Sequence, residues 1–112
     1  MQDQLDWETR EHFLQLQEKL LQNKIPVGEF CRAFSERDVL NSEAAGMLES
    51  NFILLSPHKK SLDFSILTYK ILDACYGYDP ESESLEIWER KNKEFRDFVQ
   101  RIYLQIQKLL KE

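Results

Sequence analysis

A chain of 112 residues with 42% hydrophobic content, three glycines and three prolines suits one domain spanning residues 1–112, with too few turn residues for a sandwich or barrel. Its net charge of −5 disfavours direct nucleic-acid binding, which needs a basic face to release counterions. No apolar stretch approaches the roughly 20 residues of a membrane span. The opening MQDQLDWETREHF carries neither an apolar run nor a basic leader and does not read as a secretory signal. The expectation is a soluble, cytoplasmic protein with no membrane partner.

The first helix is predicted over residues 3–22. Leu5, Phe13, Leu16, Leu20 and Leu21 fall mostly at steps of three and four, which places them on one face. Asp3, Asp6 and Glu8 load its first turns with charge that the helix dipole favours, and Asn23 is a plausible stop. Pro26 suits a first helical position, where its missing N–H has no partner to lose. A second helix then runs to about Arg37 with Val27, Phe30, Ala33 and Phe34 on its apolar side. Asn41 and Ser42 read as caps of a third helix carrying Ala45, Leu48, Phe52 and Leu55, although the second and third could equally be one bent helix. Ser56-Pro57 ends this block.

A fourth helix is predicted over residues 61–76, with Phe64, Leu67, Ile71, Leu72 and Cys75 on one side and Gly77 as its stop. Gly77-Tyr78-Asp79-Pro80 is the strongest loop signal. The last helix covers about residues 84–111, where Phe95, Phe98, Val99, Ile102, Ile106, Leu109 and Leu110 repeat at helical spacing. It should be the longest or second longest, with Phe95, Phe98, Val99, Ile102 and Ile106 largely buried. Short loops between amphipathic helices make antiparallel neighbours, hence an all-α antiparallel bundle of four to five helices.

Motifs for chemistry are sparse. Cys31 and Cys75 lie within apolar helical patterns and are expected to be free, buried and unreactive. His12 and His58 have no ligand partners at metal spacing, and His58, next to Lys59 and Lys60, reads as solvated. Gly28, Gly46 and Gly77 are too far apart for a phosphate loop. The expectation is no catalytic residue, no metal and no cofactor.

Charge distribution is more informative. Residues 79–89 carry five acids and no base, whereas residues 90–112 carry three acids and seven bases. The acidic run, Asp79, Glu81, Glu83, Glu86 and Glu89, has two readings: solvated loop and helix start, or a patch that docks on a basic surface. Tyr78 and Trp88 flank it as candidate anchors, since each can bury a ring and leave its polar end wet. The candidate partner-binding set is therefore Tyr78, Asp79, Glu81, Glu83, Glu86, Trp88 and Glu89.

The stretch Leu20-Leu21-Gln22-Asn23-Lys24-Ile25-Pro26-Val27-Gly28-Glu29-Phe30, with Phe34 one turn on, resembles the opening of colicin D immunity-like proteins. Ile71-Leu72-Asp73-Ala74-Cys75-Tyr76-Gly77-Tyr78-Asp79-Pro80-Glu81 resembles the end of that family's penultimate helix and its acidic Asp-Pro loop. The resemblance implies an acidic helical immunity protein that blocks the basic active site of a transfer-RNA-cleaving toxin ribonuclease, its carboxylates standing in for substrate phosphates. The other open reading is a small helical scaffold or accessory subunit that docks through apolar and basic helix faces, the latter including Arg96 and Arg101.

Overall fold

The computed structural model describes residues 1–56, 58–78 and 84–112. These residues form five helices and no strand: α1 (Gln2–Glu8), α2 (Arg10–Leu21), α3 (Val27–Ser50), α4 (Ser61–Tyr76) and α5 (Leu85–Lys111). The helices build one flattened bundle of 51 × 31 × 19 Å. The all-α expectation is met, and α5, at 27 residues, is the longest helix described.

Three boundaries differ from the sequence reading; in one, the helix expected to carry Phe52 and Leu55 ends already at Ser50. The predicted first helix breaks at Thr9, whose φ of −103° and ψ of 19° leave the helical range. The Thr9 hydroxyl donates to the Leu5 carbonyl at 2.8 Å and accepts from Asn41 Nδ2 at 3.0 Å. A threonine bonded back onto its own helix bends it, and here α3 fixes the bend. Arg10 covers the break, donating to the Trp7 carbonyl at 3.0 Å with its guanidinium carbon 4.4 Å above the Trp7 ring. The third change is that residues 27–50 form one continuous helix. Asn41 is no cap; it is buried in mid-helix, with its side chain directed at α1.

Both α2 and α3 end on a left-handed residue. At the end of α2, Asn23 has φ 59°, Asn23 N–H donates to the Leu20 carbonyl at 3.1 Å and Lys24 N–H to the Lys19 carbonyl at 2.8 Å. The same pair of bonds closes α3, from Phe52 to Glu49 at 3.1 Å and from Ile53 to Leu48 at 2.9 Å. Asparagine tolerates that conformation, but Phe52, at φ 57°, does not do so readily. Gly77 caps α4 at an ordinary φ of −84°, so its role there does not rest on glycine's freedom. Pro26 sits one residue outside α3 as its cap, and Ser84 caps α5 by accepting from Ile87 N–H at 3.4 Å.

Aromatic rings hold the core. Phe13 packs on Phe34 at 5.0 Å, Phe34 on Phe30 at 5.2 Å, and Phe30 on Phe95 at 5.9 Å, tying α2, α3 and α5 together. Trp7 meets Phe64 edge-on at 5.8 Å and joins α1 to α4. From α5, Phe95, Val99, Ile102 and Ile106 are buried as expected, whereas Phe98 is only half-buried. Two polar clamps seat α5 on α2: Arg96 donates to the Leu20 carbonyl, and the Tyr103 hydroxyl donates to Glu18 at 3.0 Å. Burial, and then that bond to Glu18, raise the Tyr103 pKa.

Candidate partner-binding surface

Of the predicted set, Asp79, Glu81 and Glu83 lie outside the described residues. Tyr78 is half-buried, its ring 5.8 Å from Phe95 and its hydroxyl donating to Asn92 Oδ1 at 3.3 Å. Asn92 in turn donates to the Trp88 carbonyl at 2.7 Å. Tyr78 is thus an anchor of its own loop on α5, held by packing on one side and a hydrogen bond on the other. Glu86, Trp88 and Glu89 are exposed on the first turns of α5. Trp88 and Glu89 share a shallow concavity of about 370 Å³ with Asn92, Lys93, Arg96 and Asp97. The helix turn therefore brings bases beside Glu89, which the baseless run 79–89 did not suggest.

A second surface escaped the sequence reading. Large apolar side chains stand exposed along the outer side of α3 and just beyond it: Val39, Leu40 and Met47, then Phe52, Ile53 and Leu54. Phe52 is the extreme case, 92% exposed in its strained backbone conformation. On α4, Leu62, Ile66 and Tyr69 repeat at steps of four and three, so they form a stripe on one side of that helix, and all three are exposed. Single exposed apolar residues are ordinary, whereas clusters of them mark interaction sites. Acids dominate the exposed charges of these two helices: Glu29, Glu36, Glu43, Glu49, Asp63 and Asp73 against Arg32 and Lys70. A shallow groove on α3 runs past Arg32, Ser35, Glu36, Val39, Leu40 and Glu43.

Between α1, α3 and α4 lies a polar network. Asp6 is 4% exposed, accepting from Asn41 Nδ2 at 2.9 Å through Oδ1 and from the Ser65 hydroxyl at 2.8 Å through Oδ2. Burial raises the Asp6 pKa above the ordinary carboxylate value, against the lowering effect of those two bonds; the nearby charges of Asp38 and Asp3 add to the rise. Asp38 accepts from Gln2 Nε2 at 2.8 Å and is also raised by burial. A buried carboxylate held by hydrogen bonds from two other helices fixes their register, which explains why Asn41 and Ser65 occupy helix interiors.

The cysteines are free, but they are not isolated from each other. Cys75 is buried, Cys31 is half-buried, and each thiol perturbs the other across the α3–α4 contact. That interaction, followed by burial, pushes Cys75 up, while it lowers Cys31. Their 44-residue separation gave no sign of this meeting. His58 is exposed, as expected, and its ring also stacks on Trp7 at 4.2 Å. His12 is also exposed, and partial desolvation of its ring, then nearby Arg37 and Lys19, lower its pKa.

Among the described residues no group of three His, Cys, Asp or Glu side chains is placed to hold a metal ion, and no helix is long and apolar enough to cross a membrane. No protein-family model matches the chain, and neither a curated protein nor a solved structure matches it, so the comparisons do not bear on the resemblance to colicin D immunity-like proteins.

Proposed function

We infer that this chain is a non-enzymatic protein-binding domain whose partner presents a basic amphipathic helix. The observations that support it are the exposed apolar side chains on α3 and on α4, each accompanied by exposed acids on the same helix. Val39, Leu40, Met47, Phe52, Leu62, Ile66 and Tyr69 are exposed there, among six exposed acids and two exposed bases. An apolar stripe rimmed by acids accepts the apolar side of a helix and pairs with Lys or Arg at its margins. Phe52 adds to the case, because a bulky exposed residue in a left-handed position costs the fold stability and gives it no buried contact in return.

The reading is tested by selecting displayed helical peptides on the wild-type chain, with counter-selection on Leu40→Glu/Ile66→Glu. It expects enriched peptides with apolar residues at helical spacing and flanking Lys or Arg. Enrichment of none, or of peptides that bind the variant equally well, overturns it.

A narrower reading, an immunity protein that blocks the basic active site of a toxin ribonuclease, is supported by a different place. Glu86, Trp88 and Glu89 are exposed at the start of α5, where carboxylates suit the helix dipole and remain available to cations. Glu86→Lys/Glu89→Lys should then abolish inhibition of such an enzyme while leaving the fold intact. Unchanged inhibition would remove these residues from the interface. The remaining reading, a scaffold or accessory subunit, shares the apolar surface and predicts a partner that is part of a larger assembly.

A further inference from the structure

We propose that this chain self-associates by seating the exposed face of α5 from one copy on the exposed face of α3 from another. The proposal deepens the protein-binding reading, on which it rests, by naming the basic amphipathic helix: it is the C-terminal half of α5 in a second copy.

On α5, Arg101, Leu104, Lys108 and Lys111 follow one another at steps of three and four, so they share one side of the helix, and all four are exposed. No acid occurs from Phe98 to Lys111. The helix dipole accounts for Lys108 and Lys111 in the last turn. It does not account for Arg101, which lies two turns before Lys108. On α3, Glu36, Val39, Leu40 and Glu43 are all exposed and line one shallow groove.

The two faces match in spacing as well as in charge. Seven residues separate Glu36 from Glu43, and seven separate Arg101 from Lys108. Seven residues rise about 10.5 Å along either helix. Leu104 falls between the two bases, and Val39 and Leu40 between the two acids. Both charge pairs and an apolar contact therefore form together. Leu104 meets Leu40 when the helices run antiparallel and Val39 when they run parallel. Among the described residues none of Glu36, Glu43, Arg101 and Lys108 stands in an ion pair within its own copy. Both faces are open to solvent in the single chain, so each is left for another copy to cover. A contact between two helix faces lies at the small end of protein interfaces, so the association is weak and shows at high concentration.

The test is sedimentation equilibrium of the whole chain up to about 1 mM, with two charge-reversed variants. The wild-type chain should exceed the monomer mass as its concentration rises. Arg101→Glu/Lys108→Glu and Glu36→Lys/Glu43→Lys should each weaken self-association at least about tenfold, because each sets like charges opposite one another. The second variant moves the net charge from −5 to −1, so its loss of association is not a matter of overall repulsion. Mixed in equal amounts, the two variants should associate again, since the acidic α5 of one then meets the basic α3 of the other. Restoration on mixing also shows that both variants are folded.

A wild-type chain that stays monomeric, self-association unaltered by either reversal, or a mixture no better than its parts would overturn the proposal. Its failure is distinct from that of the reading it rests on. A monomeric chain that still enriches basic helical peptides loses only the self-association. Association restored on mixing, with no peptide enriched, supports this contact and removes the separate partner.

Discussion

Along α5, Phe95, Val99, Ile102 and Ile106 turn to the core, and between Phe95 and Lys111 only Leu104 is a large apolar residue left exposed. Along α3 the apolar residues divide: Val27, Phe30, Phe34 and Ala45 are buried, while Val39, Leu40 and Met47 face outward. Helix α4 divides in the same way, with Phe64, Leu67, Ile71 and Leu72 inside and Leu62, Ile66 and Tyr69 outside. All three helices are long and apolar enough to fold into the bundle. From Phe95 onward folding uses nearly all the apolar surface of α5, whereas its first turns, with Leu85 and Trp88 exposed, resemble α3 and α4 in leaving apolar surface for a partner to cover.

The comparison is broken most strongly by truncation. Phe34→Ala, at a fully buried site, should cost about 3–5 kcal/mol in urea unfolding, whereas Leu40→Ala on the same helix should stay within about 0.5 kcal/mol. A large loss at Leu40 would place the outer face of α3 in the core. The end of α3 sharpens the contrast. Phe52→Gly should raise stability by about 1 kcal/mol, because glycine takes the left-handed conformation without steric cost, and should weaken peptide binding at the same time.

A similar gain is expected inside the molecule. Gln17 is fully buried with neither amide atom hydrogen-bonded among the described residues, so Gln17→Met should stabilise by about 1 kcal/mol.

Acid titration gives a smaller effect with a defined sign. Asp6 and Asp38 titrate above their ordinary value of 3.8 in the folded chain, so the native state holds protons the unfolded chain has released. Their contribution is fully present below 3.8 and is lost as pH rises through the raised values. Asp6→Asn should flatten this slope in pH-dependent denaturation. The mildest test is alkylation, where Cys31, half-buried and lowered, should label before Cys75, buried and raised.

Helical periodicity carried the fold. It placed the buried face of α5 because apolar residues there recur with little competition from other uses. It misassigned Asn41 because asparagine before an apolar run signals a cap, and nothing local shows that its side chain bonds to residues 32 and 35 positions earlier. The break at Thr9 has the same origin, since its cause is partly a bond from α3. Phe52 sits at helical spacing after Ala45 and Leu48, so periodicity assigned it to the core; its position after the helix end turned it outward. Of the predicted site, Glu86 and Glu89 were legible as exposed helix-start residues, whereas the sequence left Trp88 open between a buried ring and an exposed anchor. The bases beside Glu89 and the anchoring of Tyr78 depend on the turn of α5 and on Phe95, which composition along the chain does not express.

The central claim is that the outer surface of α3 and α4 serves binding and contributes little to folding. It is tested most directly by comparing Leu40→Glu/Ile66→Glu with the wild-type chain in two measurements, thermal unfolding and calorimetric titration of a selected basic helical peptide. The account predicts a melting temperature within about 4 °C of wild type and affinity reduced about a hundredfold. Undiminished affinity, or loss of the cooperative transition, would contradict it.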